Sequence, residues 1–186
     1  MGTIFVDNLK HQSSQGSGTI TIGASGETIN IPTGSTIDLS NSTVTLNSSM
    51  KSTPSFQAYL SSNQSIGVNT TTTVAIDTEE FDTDSAFNVS NYRFTVPSGK
   101  AGKYFFYGGI TMANFFAYAV AEIAKNGSAI RRGVAIRNDA SGVTVNALAD
   151  LSVGDYITLS AYQDQSGQVL QSNSNFTYFG GFRLIG

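Results

Sequence analysis

Four pairs of apolar residues constrain this chain more than anything else in it. Between Gly18 and Ser49 the sequence reads GTITIGASGETINIPTGSTIDLSNSTVTLNSS. Its large apolar residues come as dyads separated by one residue: Ile20/Ile22, Ile29/Ile31, Ile37/Leu39 and Val44/Leu46. The dyads start nine, eight and seven residues apart, with Gly, Ser, Thr and Asn between them and only Glu27 and Asp38 charged. Both members of a dyad project from one face of a short strand. The spacing is too short for a strand–helix–strand unit and suits a strand–corner repeat. Eight such side chains bury too little surface to offset a backbone ordering cost of about 1–2 kcal/mol per residue. Two readings follow: a disordered linker, or a β-stem that several chains build together, three of them closing their dyads into one narrow interior. The fourfold recurrence of the spacing favours the stem.

The remainder of the composition agrees with an all-β chain. At 186 residues there is room for one domain with an appendage. Charged residues make up 12%, about half the usual share of a globular domain, and Gly, Ser, Thr and Asn take their place, which favours strands and turns over helices. A net charge of −3 provides no basic face for a nucleic acid. The absence of cysteine excludes a disulfide framework, thiol catalysis and cysteine–zinc sites. No apolar run is long enough to span a membrane. The opening MGTIFVDNLKHQ has a three-residue apolar run rather than a signal-peptide core, so synthesis in a cytoplasm is expected.

Three parts are expected along the chain. Residues 1–17 form a short segment with one strand, TIFVDNL, and a polar loop. Residues 18–52 carry the dyads. Residues 53–186, opened by Pro54, hold every Tyr and every Phe except Phe5. In this third part strand signals alternate with turn residues. NYRFTVPSG alternates Tyr92, Phe94 and Val96. FAYAVAEIAKNGSAIRRGVAI reads as a hairpin about Asn126-Gly127, a pair suited to a type I′ turn. VTVNALADLSVGDYITLSAY supplies two strands about Gly154-Asp155, and NFTYFGGFRLIG closes the chain with Phe176, Tyr178 and Phe182. Eight to ten short strands at this spacing indicate a β-sandwich or jelly roll.

Residues that could carry chemistry are few. The single histidine, His11, sits in a polar loop with no nucleophile placed beside it, and no nucleophile elbow, metalloprotease, P-loop or dinucleotide pattern occurs. Asp77, Glu79, Glu80, Asp82 and Asp84 cluster in DTEEFDTD. Their order is not that of a calcium loop, and a solvated acidic loop is the expectation. Arg131, Arg132 and Arg137 in RRGVAIR form the one basic cluster and are expected on a solvated strand edge. No catalytic residue and no enzymatic activity are expected.

The third part also carries a family pattern. Phe81, Asn88, Tyr92, Phe94, Val96, Pro97, Gly102, Tyr104 and Phe106 stand in FDTDSAFNVSNYRFTVPSGKAGKYFFYGGI in an order that resembles the signature of the complement C1q-like globular domain. IAKNGSAI, LSVGDYITLSAY and FTYFGGFRLIG resemble its later hairpin and strands, so the resemblance spans about residues 53–186. It implies a ten-strand jelly roll of the tumour-necrosis-factor type, assembled as a homotrimer. The expected head core is Phe81, Tyr92, Phe94, Tyr104, Phe106, Phe179 and Phe182. No cofactor is expected. Calcium is the one ion the resemblance allows, at Asp155, with a plain turn aspartate as the alternative.

A short N-terminal tag, a Ser/Thr/Asn/Gly-rich stem and a C1q-like head together resemble the fibre and appendage proteins of marine tailed phages. On that basis the chain is expected to be a non-enzymatic virion protein, a homotrimeric short fibre or knob on capsid or tail, made in the host cytoplasm. Residues 1–17 would join it to other virion proteins, 18–52 would form the stem, and 53–186 the head that meets a host-surface glycan or protein. The alternatives are a secreted or bacterial C1q-like carbohydrate-binding lectin and a capsid decoration with no receptor.

Overall fold

In the computed structural model the chain divides into two units, Met1–Val44 and Thr45–Gly186. The structure describes residues 28, 29, 31, 33–37, 40, 43–45, 51–114, 118–136 and 142–184. Residues 1–17, expected to attach the chain and including His11, the expected stem residues Ile20, Ile22, Leu39 and Leu46, and Arg137 lie outside the described residues. In the first unit Thr33 and Gly34 form a turn, and none of the described residues is in a strand. Ile29, Ile31, Ile37 and Val44 are 44–57% exposed. One chain by itself leaves these dyad side chains in water.

The second unit contains thirteen strand segments among its described residues: β1 (Ser55–Tyr59), β2 (Gln64–Ser65), β3 (Thr72–Thr73), β4 (Thr78–Asp82), β5 (Phe87–Asn88), β6 (Arg93–Thr95), β7 (Gly102–Thr111), β8 (Tyr118–Lys125), β9 (Ser128–Ile136), β10 (Gly142–Leu151), β11 (Tyr156–Gln163), β12 (Val169–Leu170) and β13 (Tyr178–Arg183). The first sheet has the order β10-β7-β13-β1-β4, and the second β5-β6-β11-β8-β9, with β3 also pairing β11. Every strand pairing among the described residues is antiparallel. The order places β1 and β13, the two ends of the unit, side by side in the middle of one sheet, a non-local closure typical of jelly rolls.

Period-two alternation builds the core. Val143, Val145 and Ala147 of β10, Tyr104 and Phe106 of β7, Ile157, Leu159 and Ala161 of β11, and Ala119, Ala121 and Ile123 of β8 all point inward and are buried. Phe56 sits at the centre, stacked on Phe87 at 4.8 Å and Phe94 at 5.3 Å and edge-on to Phe179 at 5.2 Å. These are the offset and edge geometries that aromatic quadrupoles prefer. The β8–β9 hairpin turns on Asn126 (φ 51°) and Gly127 (φ 82°), the two left-handed residues a type I′ turn requires. At the sandwich's edge β9 approaches β10 so closely that a Cβ on Gly133 would lie 1.9 Å from the Thr144 carbonyl oxygen.

Phe94, Tyr104, Phe106 and Phe179 are buried in this core. Three other expected core residues are corrected. Phe182 is 36% and Phe81 47% exposed. Phe182 has the parity of Tyr178, opposite to Phe179, so alternation sends it outward. Phe81 lies on the edge strand β4 opposite Gln57, which also points outward. Tyr92 is half-buried with φ 59° in the turn between β5 and β6. The side chain of Asn88 closes that turn by accepting from the Ser90 and Asn91 amides at 2.8 and 3.3 Å, so the alternation begins only at Phe94.

Candidate functional site

The outer face of the first sheet is unusually aromatic. Three cross-strand rows can be read from the registers. Leu148, Phe105, Phe182 and Ser55 form one; Asn146, Tyr107, Gly180, Gln57 and Phe81 form the next; Thr144, Gly109, Tyr178, Tyr59 and Thr78 form the third. Phe105 packs on Tyr107 at 6.3 Å and on Phe182 at 5.7 Å, and Tyr107 on Tyr178 at 6.4 Å. Leu148 is 63% exposed beside them. Two glycines make this surface possible. The Tyr107 ring lies over Gly180, whose Cβ would come within 2.5 Å of it, and the Tyr178 ring lies over Gly109, whose Cβ would come within 2.8 Å. Each tyrosine thus lies flat across its own cross-strand partner instead of standing upright.

A polar chain runs along one side of the patch. The Tyr107 hydroxyl donates to Gln57 Oε1 at 2.7 Å, and Gln57 Nε2 donates to Glu80 at 2.5 Å. Partial burial, helped by Glu80 and Tyr178, pushes the Tyr107 phenol above its ordinary pKa. The patch therefore offers apolar area with a hydrogen-bonded margin, which is how the centre and rim of a protein interface are built.

The acidic cluster serves local structure. Asp77 accepts from the Ser61 amide and hydroxyl at 2.8 and 2.7 Å. Asp82 accepts from the Phe87 amide at 2.7 Å, and Asp84 pairs with Lys100 at 3.2 Å. Among the described residues no three His, Cys, Asp or Glu side chains converge as a metal site would need. Asp155, the position where the resemblance allows calcium, is surrounded by protein donors. Lys125 Nζ lies 2.8 Å from Oδ2, Asn126 Nδ2 donates to Oδ1 at 2.7 Å, and the Ser152 amide donates to Oδ2 at 2.8 Å. Those donors, Lys125 and Asn126 foremost, hold the carboxyl at a pKa of about 2. Asp155 thereby ties the β10–β11 turn to the β8–β9 hairpin. In the basic cluster, Arg131 and Arg132 lie exposed on β9, and Arg132 pairs with Glu122 across the strands.

No protein-family model and no curated protein matches the sequence. Solved structures do match the fold. Murine APRIL at pH 8.0 superposes with a TM-score of 0.56 at 14% identity, covering 70% of this chain and 98% of that one. The globular domain of zebrafish complement 1qA protein superposes with a TM-score of 0.52 at 13% identity, covering 70% and 97%. The second unit is a jelly roll of the C1q/tumour-necrosis-factor type. Within this jelly roll, sequence reasoning missed the two glycine-seated tyrosines, whose only signal was the Gly-Gly pair in each of YGGI and FGGF.

Proposed function

We propose that this chain is a non-enzymatic structural protein of a tailed-phage particle, a homotrimeric short fibre or knob whose head faces outward and adheres to the host surface. The observation that carries the trimer is the aromatic outer face of the first sheet. Phe105, Tyr107, Tyr178 and Phe182 form a contiguous apolar patch of the kind that marks an association surface, and its occupant is a second copy of this chain, repeated about a threefold axis. The dyad repeat supports the same assembly, since Ile20, Ile22, Ile29, Ile31, Ile37, Leu39, Val44 and Leu46 find apolar partners once three chains run in register. Folding and association are then coupled, and three heads on one stalk turn weak surface contacts into firm attachment. Residues 1–17 dock the fibre on capsid or tail.

Light scattering on the full chain tests the assembly: a trimer at micromolar concentration is expected, and a stable monomer would overturn it. Deleting residues 1–17 tests the location. The truncated protein is expected to stay trimeric and to be missing from purified particles; its presence in them would remove the docking role from that segment.

A further inference from the structure

On the opposite side of the sandwich, the outer face of the second sheet holds a cavity of about 300 Å³ lined by Thr71, Tyr118, Val120, Glu122, Arg132 and Tyr162. Strand registers explain its construction. Tyr118, Val120 and Glu122 alternate outward along β8; Val120 lies beside Tyr162 of β11, and Glu122 lies between Ser160 of β11 and Arg132 of β9. Tyr118 and Tyr162 meet edge to face at 5.9 Å and 76°. The Tyr162 hydroxyl donates to Asn69 Oδ1 at 3.0 Å, which fixes its ring, and the Tyr118 backbone amide donates to Asp164 at 2.9 Å, which fixes the start of β8.

Glu122 is the unusual member. It is only 8% exposed, on the face of the sheet turned away from the core. Its Oε2 accepts from Arg132 Nε at 2.7 Å. Among the described residues nothing bonds its Oε1, and nothing bonds the two terminal nitrogens of Arg132. A nearly buried carboxylate with a single partner contributes little to stability by itself, because its desolvation offsets the attraction. Here the pair leaves one strong acceptor and two strong donors with no partner among the described residues, in a pocket whose two charges cancel.

We propose that this pocket binds a neutral pyranose unit of a surface glycan, with the exposed Tyr118 ring against the sugar's C–H face, Tyr162 bracing that ring edge-on, and Glu122 and Arg132 holding the hydroxyls. A pyranose is apolar on its ring faces and ringed by hydroxyls that both donate and accept. The carboxylate accepts from one hydroxyl while the guanidinium donates to its neighbour, through charge-assisted bonds. Val120 gives the apolar floor, and the cavity lies at the small end of ligand sites, which suits a single ring. Internal neutralisation of Glu122 by Arg132 disfavours an anionic sugar. The assignment rests on the reading of the head as the part that meets a surface and deepens it by naming the ligand class and its place.

Saturation-transfer NMR on the full chain, with the methyl glycosides of glucose, galactose, mannose and N-acetylglucosamine as probes, tests the site. At least one is expected to receive saturation at its ring C–H protons at millimolar concentration. Tyr118→Ala and Glu122→Gln are each expected to weaken that binding about tenfold, the size of one lost charge-assisted bond or ring contact, while Val153→Ala in an exposed turn leaves it unchanged. Tyr118 opens its strand and is itself exposed, so its removal leaves the fold intact and tests the site independently of the more buried Glu122. No transfer to any of the four, undiminished binding in both variants, or preference for a methyl sialoside would each overturn the proposal. Light scattering on the same samples separates the two readings. A trimer that binds no glycoside removes the pocket alone; a monomer that binds one keeps the pocket and removes the trimeric fibre.

Discussion

At Asp155 three donors converge on one carboxylate, and the consequence is a pH dependence with a definite sign. Its pKa in the fold is about 2 against an ordinary 3.8. The charged form is therefore favoured by folding, and its contribution is fully present above pH ~4 and is lost as pH falls towards 2. Carboxyl-detected NMR is expected to show Asp155 still ionised at pH 3, and Lys125→Met is expected to move its midpoint upward. Tyr104 gives the opposite limb. Burial pushes its phenol to about 12, with Arg183 opposing and Asp84 reinforcing, while its hydroxyl donates to the Lys100 carbonyl at 2.5 Å. Folding favours the neutral phenol here, so this contribution is whole below pH ~10 and disappears as pH rises through 12. In an ultraviolet titration Tyr104 is expected to ionise only above the bulk of the tyrosines, and Tyr104→Phe is expected to remove that late step. The reading of Asp155 as a turn residue was open from sequence, because Gly-Asp before a strand is turn chemistry. That Lys125 is its partner was not, since β8 and β11 meet only in the fold.

Elements here are shaped as much by what glycine omits as by what other residues supply. Gly133 and Gly154 separate two roles. A Cβ at Gly133 would run into the Thr144 carbonyl, whereas at Gly154 it meets nothing within 4 Å and the obstacle is φ 85° alone. Gly133→Ala is expected to cost about 3 kcal/mol, as overpacking against unyielding backbone does, and Gly154→Ala about 1 kcal/mol. Urea unfolding at one fixed chain concentration checks both; equal costs would mean that β9 and β10 do not close as tightly as described. The β8–β9 hairpin was fully legible, because Asn126-Gly127 demands its turn locally. The Tyr107–Gly180 and Tyr178–Gly109 pairs were not, because each joins strands distant in sequence that only the sheet order makes neighbours. For the same reason Phe182 was misplaced: the parity of a strand follows from its sequence, but which face of the sheet meets the core does not.

For the whole molecule, the outer face of the first sheet is the feature on which the proposed assembly depends. Leu148→Asp, at the most exposed large apolar position of that face, is expected to place a charge in the interface and convert the trimer to monomer, read by sedimentation velocity. The jelly roll should stay folded in that variant, since Leu148 takes no part in the core. Trimeric wild type is expected to melt at a temperature that rises with chain concentration, and the Leu148→Asp variant at one that does not, as linkage between folding and association requires. A monomeric wild type, or a variant that unfolds outright, would contradict the separation of core and interface. Changing Ile31 to Asp in the dyad repeat is expected to lower the melting temperature only in the trimer, because in one chain that side chain is already in water.

What is local or periodic was legible in consecutive residues: an all-β chain, a C-terminal part carrying the aromatics, a dyad repeat too poor in apolar surface to fold alone, a type I′ hairpin, and a motif order that resembles a C1q-like jelly roll. Alternation and turn chemistry act over a few residues, so they are written in consecutive letters. Strand neighbourhood in the folded sandwich settled which aromatic residues form the core and which form the outer patch, that Lys125 pairs with Asp155, and that Glu122, Arg132, Tyr118 and Tyr162 share one cavity. Those outcomes depend on which strands lie side by side, and that is set by burial summed over the entire sandwich.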